Sequence, residues 1–222
     1  MTDCTQYVNV FTGCAEIDLP APREDSPASA WHFIKGLAGN THPGACLPFG
    51  KYSCCAYSGG YSAGYGINRL NCGGRILKLY DKMPFIGFSH FHHSGTGAIG
   101  LYYNYAVTSP EYGGFESFEG AFSEKEILTE RAEPGYYSVR TDGILSETTV
   151  NGRTVIHRYT FSDAERLKKD GAKISINFAN DGLYRDDDHS LWHETSGRVR
   201  IISKNEAEAE TELPADRQLL YG

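Results

Sequence analysis

The chain of 222 residues carries a formal net charge of −7 at pH 7, and with no run of Lys and Arg to release counterions this excludes nucleic acid as a partner. At 40% hydrophobic and 22% charged residues it has an ordinary globular composition, long enough to bury roughly 70% of its unfolded surface, and no stretch approaches the ~18 apolar residues that would make the membrane a partner. The 25 Gly and 15 Tyr point instead to strands joined by many tight turns, an all-β fold.

The opening Met1-Thr2-Asp3-Cys4-Thr5-Gln6 lacks the basic and then apolar segments of an export signal, so a cytoplasmic location is expected. Six cysteines (Cys4, Cys14, Cys46, Cys54, Cys55 and Cys72) fall in the first third with no C-x-x-C pair. Adjacent Cys54 and Cys55 cannot easily bridge to each other, and the set reads as reduced thiols. From Met1 to about Asn71 the chain is rich in Gly, Pro, Ser and Ala, with turn signals at Leu19-Pro20-Ala21-Pro22 and Ser58-Gly59-Gly60; loops and short strands wrapped on a sheet are expected there.

Beyond that point the pattern changes to short β-branched and aromatic runs closed by Gly, Asp, Asn or Pro. Strands are predicted at Arg75–Tyr80, Phe85–Phe91, Gly100–Val107, Lys125–Arg131, Tyr136–Thr141, Ile144–Val150, Thr154–Phe161, Lys173–Phe178 and Arg198–Ser203. Asp142-Gly143 and Asn151-Gly152 accept the positive φ of two-residue hairpin turns, which makes three consecutive strands antiparallel. In Thr154–Phe161 alternation puts Val155, His157, Tyr159 and Phe161 on one face and Thr154, Ile156, Arg158 and Thr160 on the other. The one predicted helix is short, Ser162 to Lys169, with Ser162 as N-cap and Glu165 completing a capping box. The acidic alternation from Asn205 to Glu212 suits a solvated edge strand or a hairpin arm.

Chemistry concentrates in Gly87-Phe88-Ser89-His90-Phe91-His92-His93-Ser94-Gly95-Thr96-Gly97, where a strand pattern runs into a Gly-rich loop. On an extended strand His90 and His92 share a face and His93 opposes them. Such a pair could supply two ligands to a divalent metal, with a third from elsewhere, as in a metal-dependent enzyme; hydrogen bonding to sugar hydroxyls at a cleft edge is the preferred reading, and satisfying nearby backbone groups is the plain one. A second segment, Gly39-Asn40-Thr41-His42-Pro43-Gly44-Ala45-Cys46-Leu47-Pro48-Phe49-Gly50, is turn-dense and equally consistent with a rigid surface loop. Asp186-Asp187-Asp188-His189 offers carboxylates for a hard cation but lacks the Gly and Glu of a calcium loop, so a solvated turn is preferred. No nucleophile motif, P-loop or singled-out general acid is present.

Five blocks in order resemble glycoside hydrolase family 92: Tyr7-Val8-Asn9-Val10-Phe11-Thr12-Gly13; Gly39–Ala45 with Pro48-Phe49-Gly50; Gly87–Gly97; Pro134-Gly135-Tyr136-Tyr137-Ser138-Val139; and His157-Arg158-Tyr159-Thr160-Phe161. The resemblance implies an amino-terminal β-sandwich joined, in a longer polypeptide, to a helical (α/α)6 barrel, the whole acting as an exo-acting, inverting, calcium-dependent α-mannosidase. It further implies residues 1–222 as one antiparallel β-sandwich domain, inactive alone, with the acid, the base and most calcium ligands in the C-terminal barrel. No catalytic residue, metal or cofactor is therefore expected in this chain. The loops holding Asn40, His42, His90, His92, Ser94 and Thr96 would face the barrel and help hold an α-mannoside or related glycan. Where the family has a Trp and a cysteine-containing turn this chain has Ala56 to Tyr65, so a sugar-stacking ring is missing or is supplied by Tyr57 or Tyr61. The competing reading is a free-standing, non-catalytic carbohydrate-binding module.

Overall fold

The computed structural model describes residues 4–14, 41–48, 50–58, 64–70, 76–92, 106–114, 122–178 and 196–212. In chain order these form a 3-10 turn at Thr5–Tyr7, strands β1 (Ala45–Cys46), β2 (Ser53–Tyr57), β3 (Asn68–Leu70), β4 (Ile76–Leu79), β5 (Pro84–Phe85), β6 (Gly87–Ser89), β7 (Val107–Tyr112), β8 (Lys125–Glu126), β9 (Thr129–Glu133), β10 (Tyr136–Thr141), β11 (Ile144–Asn151) and β12 (Thr154–Phe161), helix α1 (Ala164–Asp170), and strands β13 (Ala172–Asn177), β14 (Ser196–Ser203) and β15 (Glu206–Glu212). Among the described residues no helix is long and apolar enough to cross a membrane.

Two sheets carry the fold: a five-stranded sheet ordered β1-β2-β6-β7-β13 and a four-stranded meander ordered β12-β11-β10-β9. Every pairing between these strands is antiparallel, which confirms the all-β, antiparallel sandwich. Local turn chemistry explains the meander. Pro134-Gly135 joins β9 to β10, with Glu133 opposite Tyr136 and Gly135 at φ 80°, the arrangement Pro and Gly favour in a type II turn. Asp142-Gly143 joins β10 to β11 with Gly143 at φ 73°. The next turn departs from expectation by one residue: Asn151 pairs with Thr154, so the central residues are Gly152-Arg153, with Gly152 taking the positive φ of 54°. A glycine at the first central position is what that turn geometry requires.

Burial in β12 alternates as predicted, with Val155, His157, Tyr159 and Phe161 on the more buried face. That face meets Phe88 of β6, whose ring stacks on His157 at 5.6 Å and on Tyr159 at 6.3 Å and meets Tyr137 edge-on at 6.0 Å. Ala45, Cys54, Cys55, Ala56, Phe85, Val139 and Val150 complete the same core between the sheets.

Several elements differ from the sequence reading, among them the predicted strand Phe85–Phe91, which divides into β5, paired with β8, and β6 of the five-stranded sheet. β7 runs on through Pro110, which opposes Ile174 of β13; β6 meets β7 only at Phe88 and Thr108, so beyond that rung β7 has the edge character that tolerates proline. The predicted strand Lys125–Arg131 divides into β8 and β9 at Ile127-Leu128, with Leu128 N–H donating to the Arg140 carbonyl. The cap of α1 is Asp163 rather than Ser162: its carboxylate accepts from Arg166 N–H at 2.9 Å, while the Ser162 hydroxyl is drawn to the Gly143 carbonyl at 3.0 Å. The acidic tail is a hairpin arm, β15 pairing with β14 through Arg198–Glu210 and Arg200–Glu208 ion pairs.

Candidate functional site

The site is assembled where β6 ends. Gly87 is forced there by close approach, since a Cβ at this position would lie 2.4 Å from the Thr108 carbonyl oxygen of β7. Regular pairing stops at Ser89, and the chain then crosses Ser53, whose N–H donates to the His90 carbonyl while its carbonyl accepts from His92 N–H, each at 3.2 Å. Strand alternation therefore no longer governs His90 and His92, and the two rings are held by different groups. His90 Nδ1 contacts the Ala106 carbonyl and its Nε2 lies 2.8 Å from His157 Nε2. His92, only 3% exposed, places Nε2 2.6 Å from Ser89 Oγ and 3.2 Å from the Cys55 carbonyl. The expectation that both histidines stand at a cleft edge outside the core is thus corrected for His92, which is interior because the strand ends one residue before His90. The H-x-H metal pair is not formed.

His42 belongs with His92. Their rings lie 5.1 Å apart, and His42 Nδ1 accepts from Gly44 N–H at 3.1 Å, which makes Nε2 the donor to the His92 carbonyl at 3.2 Å. Gly44 cannot carry a side chain, because a Cβ would meet the Cys54 carbonyl at 2.6 Å and Cys55 Cβ at 2.7 Å. In the described part of the Gly39–Gly50 block, Pro43, Gly44 and Ala45 are packed inside, whereas Cys46, Leu47, Pro48 and Gly50 are exposed. Beside it, the half-exposed rings of Tyr52 and Phe91 lie 5.2 Å apart. Tyr57, a candidate stacking ring, is instead buried with Ile86 and Val107. Asn40, Ser94, Thr96, Tyr61 and the Asp186–His189 run lie outside the described residues.

The residue that sequence reasoning did not single out is His157. The alternation in β12 had already turned it toward the packing face, which was the available signal. Burial and then the neighbouring His90 push its pKa down to about 3, and its Nδ1 is buried with no hydrogen-bond partner. Cys54, fully buried beside it, has its thiol pushed up to about 12 by burial. Among the described residues, Cys54, His90 and His157 are the three potential ligands whose donor atoms all fall within 4.8 Å of one another. Calcium takes roughly six to eight oxygens; this set has none, so it does not fit the calcium of the resembled family.

The best-formed carboxylate sites are also occupied. Glu130 accepts from the Tyr65 hydroxyl, which lies 3.0 and 3.2 Å from its two oxygens, and from Tyr137. Glu147 is held by Arg158 through two contacts of 2.6 Å and by the Tyr136 hydroxyl at 2.8 Å. Neither carboxylate has the open position that general acid or base work demands.

One edge of the sandwich thus gathers His42, His90 and the half-exposed rings of Tyr52 and Phe91. The family model for the glycosyl hydrolase family 92 N-terminal domain matches residues 7–215, and the chain belongs to that family. Among solved structures it is similar to a family GH92 α-mannosidase from Bacteroides thetaiotaomicron in complex with mannoimidazole, at 25% identity and a TM-score of 0.54, over 90% of this chain. The chain spans 22% of that mannosidase's length. No curated protein matches it.

Proposed function

We propose that this domain supplies part of the glycan-binding cleft of an exo-acting, inverting, calcium-dependent α-mannosidase, with the acid, base and calcium carried by a helical barrel elsewhere on the same polypeptide. The observation that carries this reading is the 25% identity, sustained over 90% of the chain, to a mannosidase holding mannoimidazole. The carboxylates Glu130 and Glu147, saturated by tyrosines and arginine, support the location of catalysis in another domain. Exposed apolar side chains support a covered face: Ile174 and Ile176 on β13 are 51% and 59% exposed, Val199 and Ile201 on β14 57% and 73%. On this reading the recognition groups are His42 and the loops holding Asn40, Ser94 and Thr96, with His92 positioning His42 from behind and His90, its ring nitrogens turned to Ala106 and His157, shaping the same edge.

The test compares hydrolysis of an aryl α-mannoside by the 222-residue chain and by the longer polypeptide. Turnover by the longer form alone is expected. Turnover by the short chain, abolished by replacing one of its own carboxylates, would overturn the proposal. Tight binding of an α-mannoside by the short chain, with no turnover by either form, would favour the free-standing binding module.

A further inference from the structure

We infer that Cys54, His90 and His157 form a soft-cation site that binds zinc or a zinc-like ion between the two sheets. The inference does not depend on the glycan reading. It begins with hydrogens. The Ala106 carbonyl can only accept, so the His90 nitrogen against it, Nδ1, carries the proton, and in neutral His90 the lone pair sits on Nε2. Anchoring one imidazole nitrogen on a backbone carbonyl so that the other presents a lone pair is the arrangement that orients histidine ligands. That lone pair points at His157, whose Nε2 must then donate to it at 2.8 Å. The consequence falls on His157 Nδ1, left as a buried acceptor with no partner. Nearby on the same core-facing side of the meander, Ser146 Oγ is likewise buried and unpartnered, while the Thr148 hydroxyl, directly opposite His157 in β11, is hydrogen-bonded to the Cys54 thiol. Two buried polar atoms without partners in one interior region call for an explanation.

A cation offers the two facing nitrogens a shared partner. Bound by the Cys54 sulfur, His90 Nε2 and His157 Nε2, it takes the place of the proton between the two rings, which moves to His157 Nδ1. One thiolate and two imidazoles suit zinc and not a hard oxygen-seeking ion. The donor atoms lie within 4.8 Å of one another, and bonds of ~2.3 Å to sulfur and ~2.1 Å to nitrogen close that triangle with a small side-chain rotation. Binding releases the thiol proton to solvent, while the His157 ring keeps its one proton, now on Nδ1, and stays neutral. Half-exposed His90 provides the way in. Because Cys54 is on β2, His90 follows β6 and His157 is on β12, the ion would tie the five-stranded sheet to the meander.

The experiment uses the full chain in a Cys4→Ser, Cys46→Ser, Cys72→Ser background, freed of metal by a chelator and titrated with Zn2+ and, as a spectroscopic probe, Co2+. One equivalent per chain is expected, with a thiolate-to-cobalt charge-transfer band and a raised Tm. Cys54→Ser should abolish the band, and His157→Gln should weaken Zn2+ binding at least about tenfold. His90→Gln, at a half-exposed position, decides the matter if a core variant does not fold: it too should weaken binding at least about tenfold. Absence of the band in the background protein overturns the site. So does a band that survives unchanged in Cys54→Ser or binding unchanged in His90→Gln, either of which would assign the metal to other side chains.

Discussion

Tyr65, 8% exposed, and Glu130 meet through the tyrosine hydroxyl and both carboxylate oxygens at 3.0 and 3.2 Å, and burial raises the Glu130 pKa above its ordinary value of 4.5. The sign of the consequence is fixed. Below the ordinary value both folded and unfolded chains hold the proton; as pH climbs from 4.5 through the raised folded value the unfolded chain gives it up first, and stability is lost. Glu130→Gln, neutral throughout, should therefore gain in Tm relative to the parent as pH rises from about 4 to about 7. A Tm difference independent of pH would refute the assignment. Tyr137→Phe, which removes the second donor to Glu130, should cost about 1–3 kcal/mol in urea unfolding.

On the opposite face of the meander Glu147 responds in the other direction. Its two contacts with Arg158 hold the carboxyl below the usual range, so its contribution is present above the ordinary 4.5 and disappears as pH falls through the depressed folded value. Arg158→Gln should lower the urea midpoint at neutral pH and leave it nearly unchanged in strong acid. Arg158→Lys should recover only part, since an ammonium cannot reproduce the two-pronged contact.

His92 and His42 should separate in a thermal melt. Removing the buried His92 ring takes a hydrogen-bond partner from both Ser89 Oγ and the Cys55 carbonyl, at a cost of about 1–3 kcal/mol; for a chain of this size each kcal/mol is worth about 2–4 °C in Tm. His42→Ala should shift Tm less while raising KM in the proposed longer enzyme. Equal loss of Tm in both variants, with KM unmoved, would make the pair purely structural.

Gly143 and Gly152 both take positive φ, 73° and 54°, but a Cβ on Gly143 meets the Tyr112 ring at 3.1 Å whereas one on Gly152 meets nothing within 4 Å. Alanine at Gly152 should cost about 1 kcal/mol from backbone strain alone. Alanine at Gly143 should cost about 1–3 kcal/mol, because it also disturbs the hydroxyl of Tyr112, which donates to the Gly143 carbonyl at 2.7 Å and accepts from Asp163 N–H at 2.9 Å. Chemical denaturation of the two variants side by side measures the difference.

The meander was legible in the sequence because its information is local. Alternating side chains and Pro-Gly, Asp-Gly and Gly-Arg turns act over a few residues, and β10 and β12 fall at the bounds that pattern predicts. β2 and β7 were not legible. Ser53–Tyr57 reads as a small-residue stretch and Val107–Tyr112 contains Pro110, and each becomes a strand only through partners distant in sequence. The histidine site failed for a similar reason: spacing paired His90 with His92, whereas packing pairs it with His157, 67 residues away. Only the folded chain brings those rings together.

The same contrast orders events in time. β9 to β12 are linked by three two-residue turns, so each pairing closes a short loop and loses little chain entropy. The other sheet must gather β2, β6, β7 and β13 from across more than a hundred residues. Refolding should therefore nucleate on the meander, with substitutions in β10 and β11 slowing the folding rate and those in β2 or β13 chiefly hastening unfolding. Phe88, arriving late on β6, is then the residue that seals the second layer onto a surface already waiting for it.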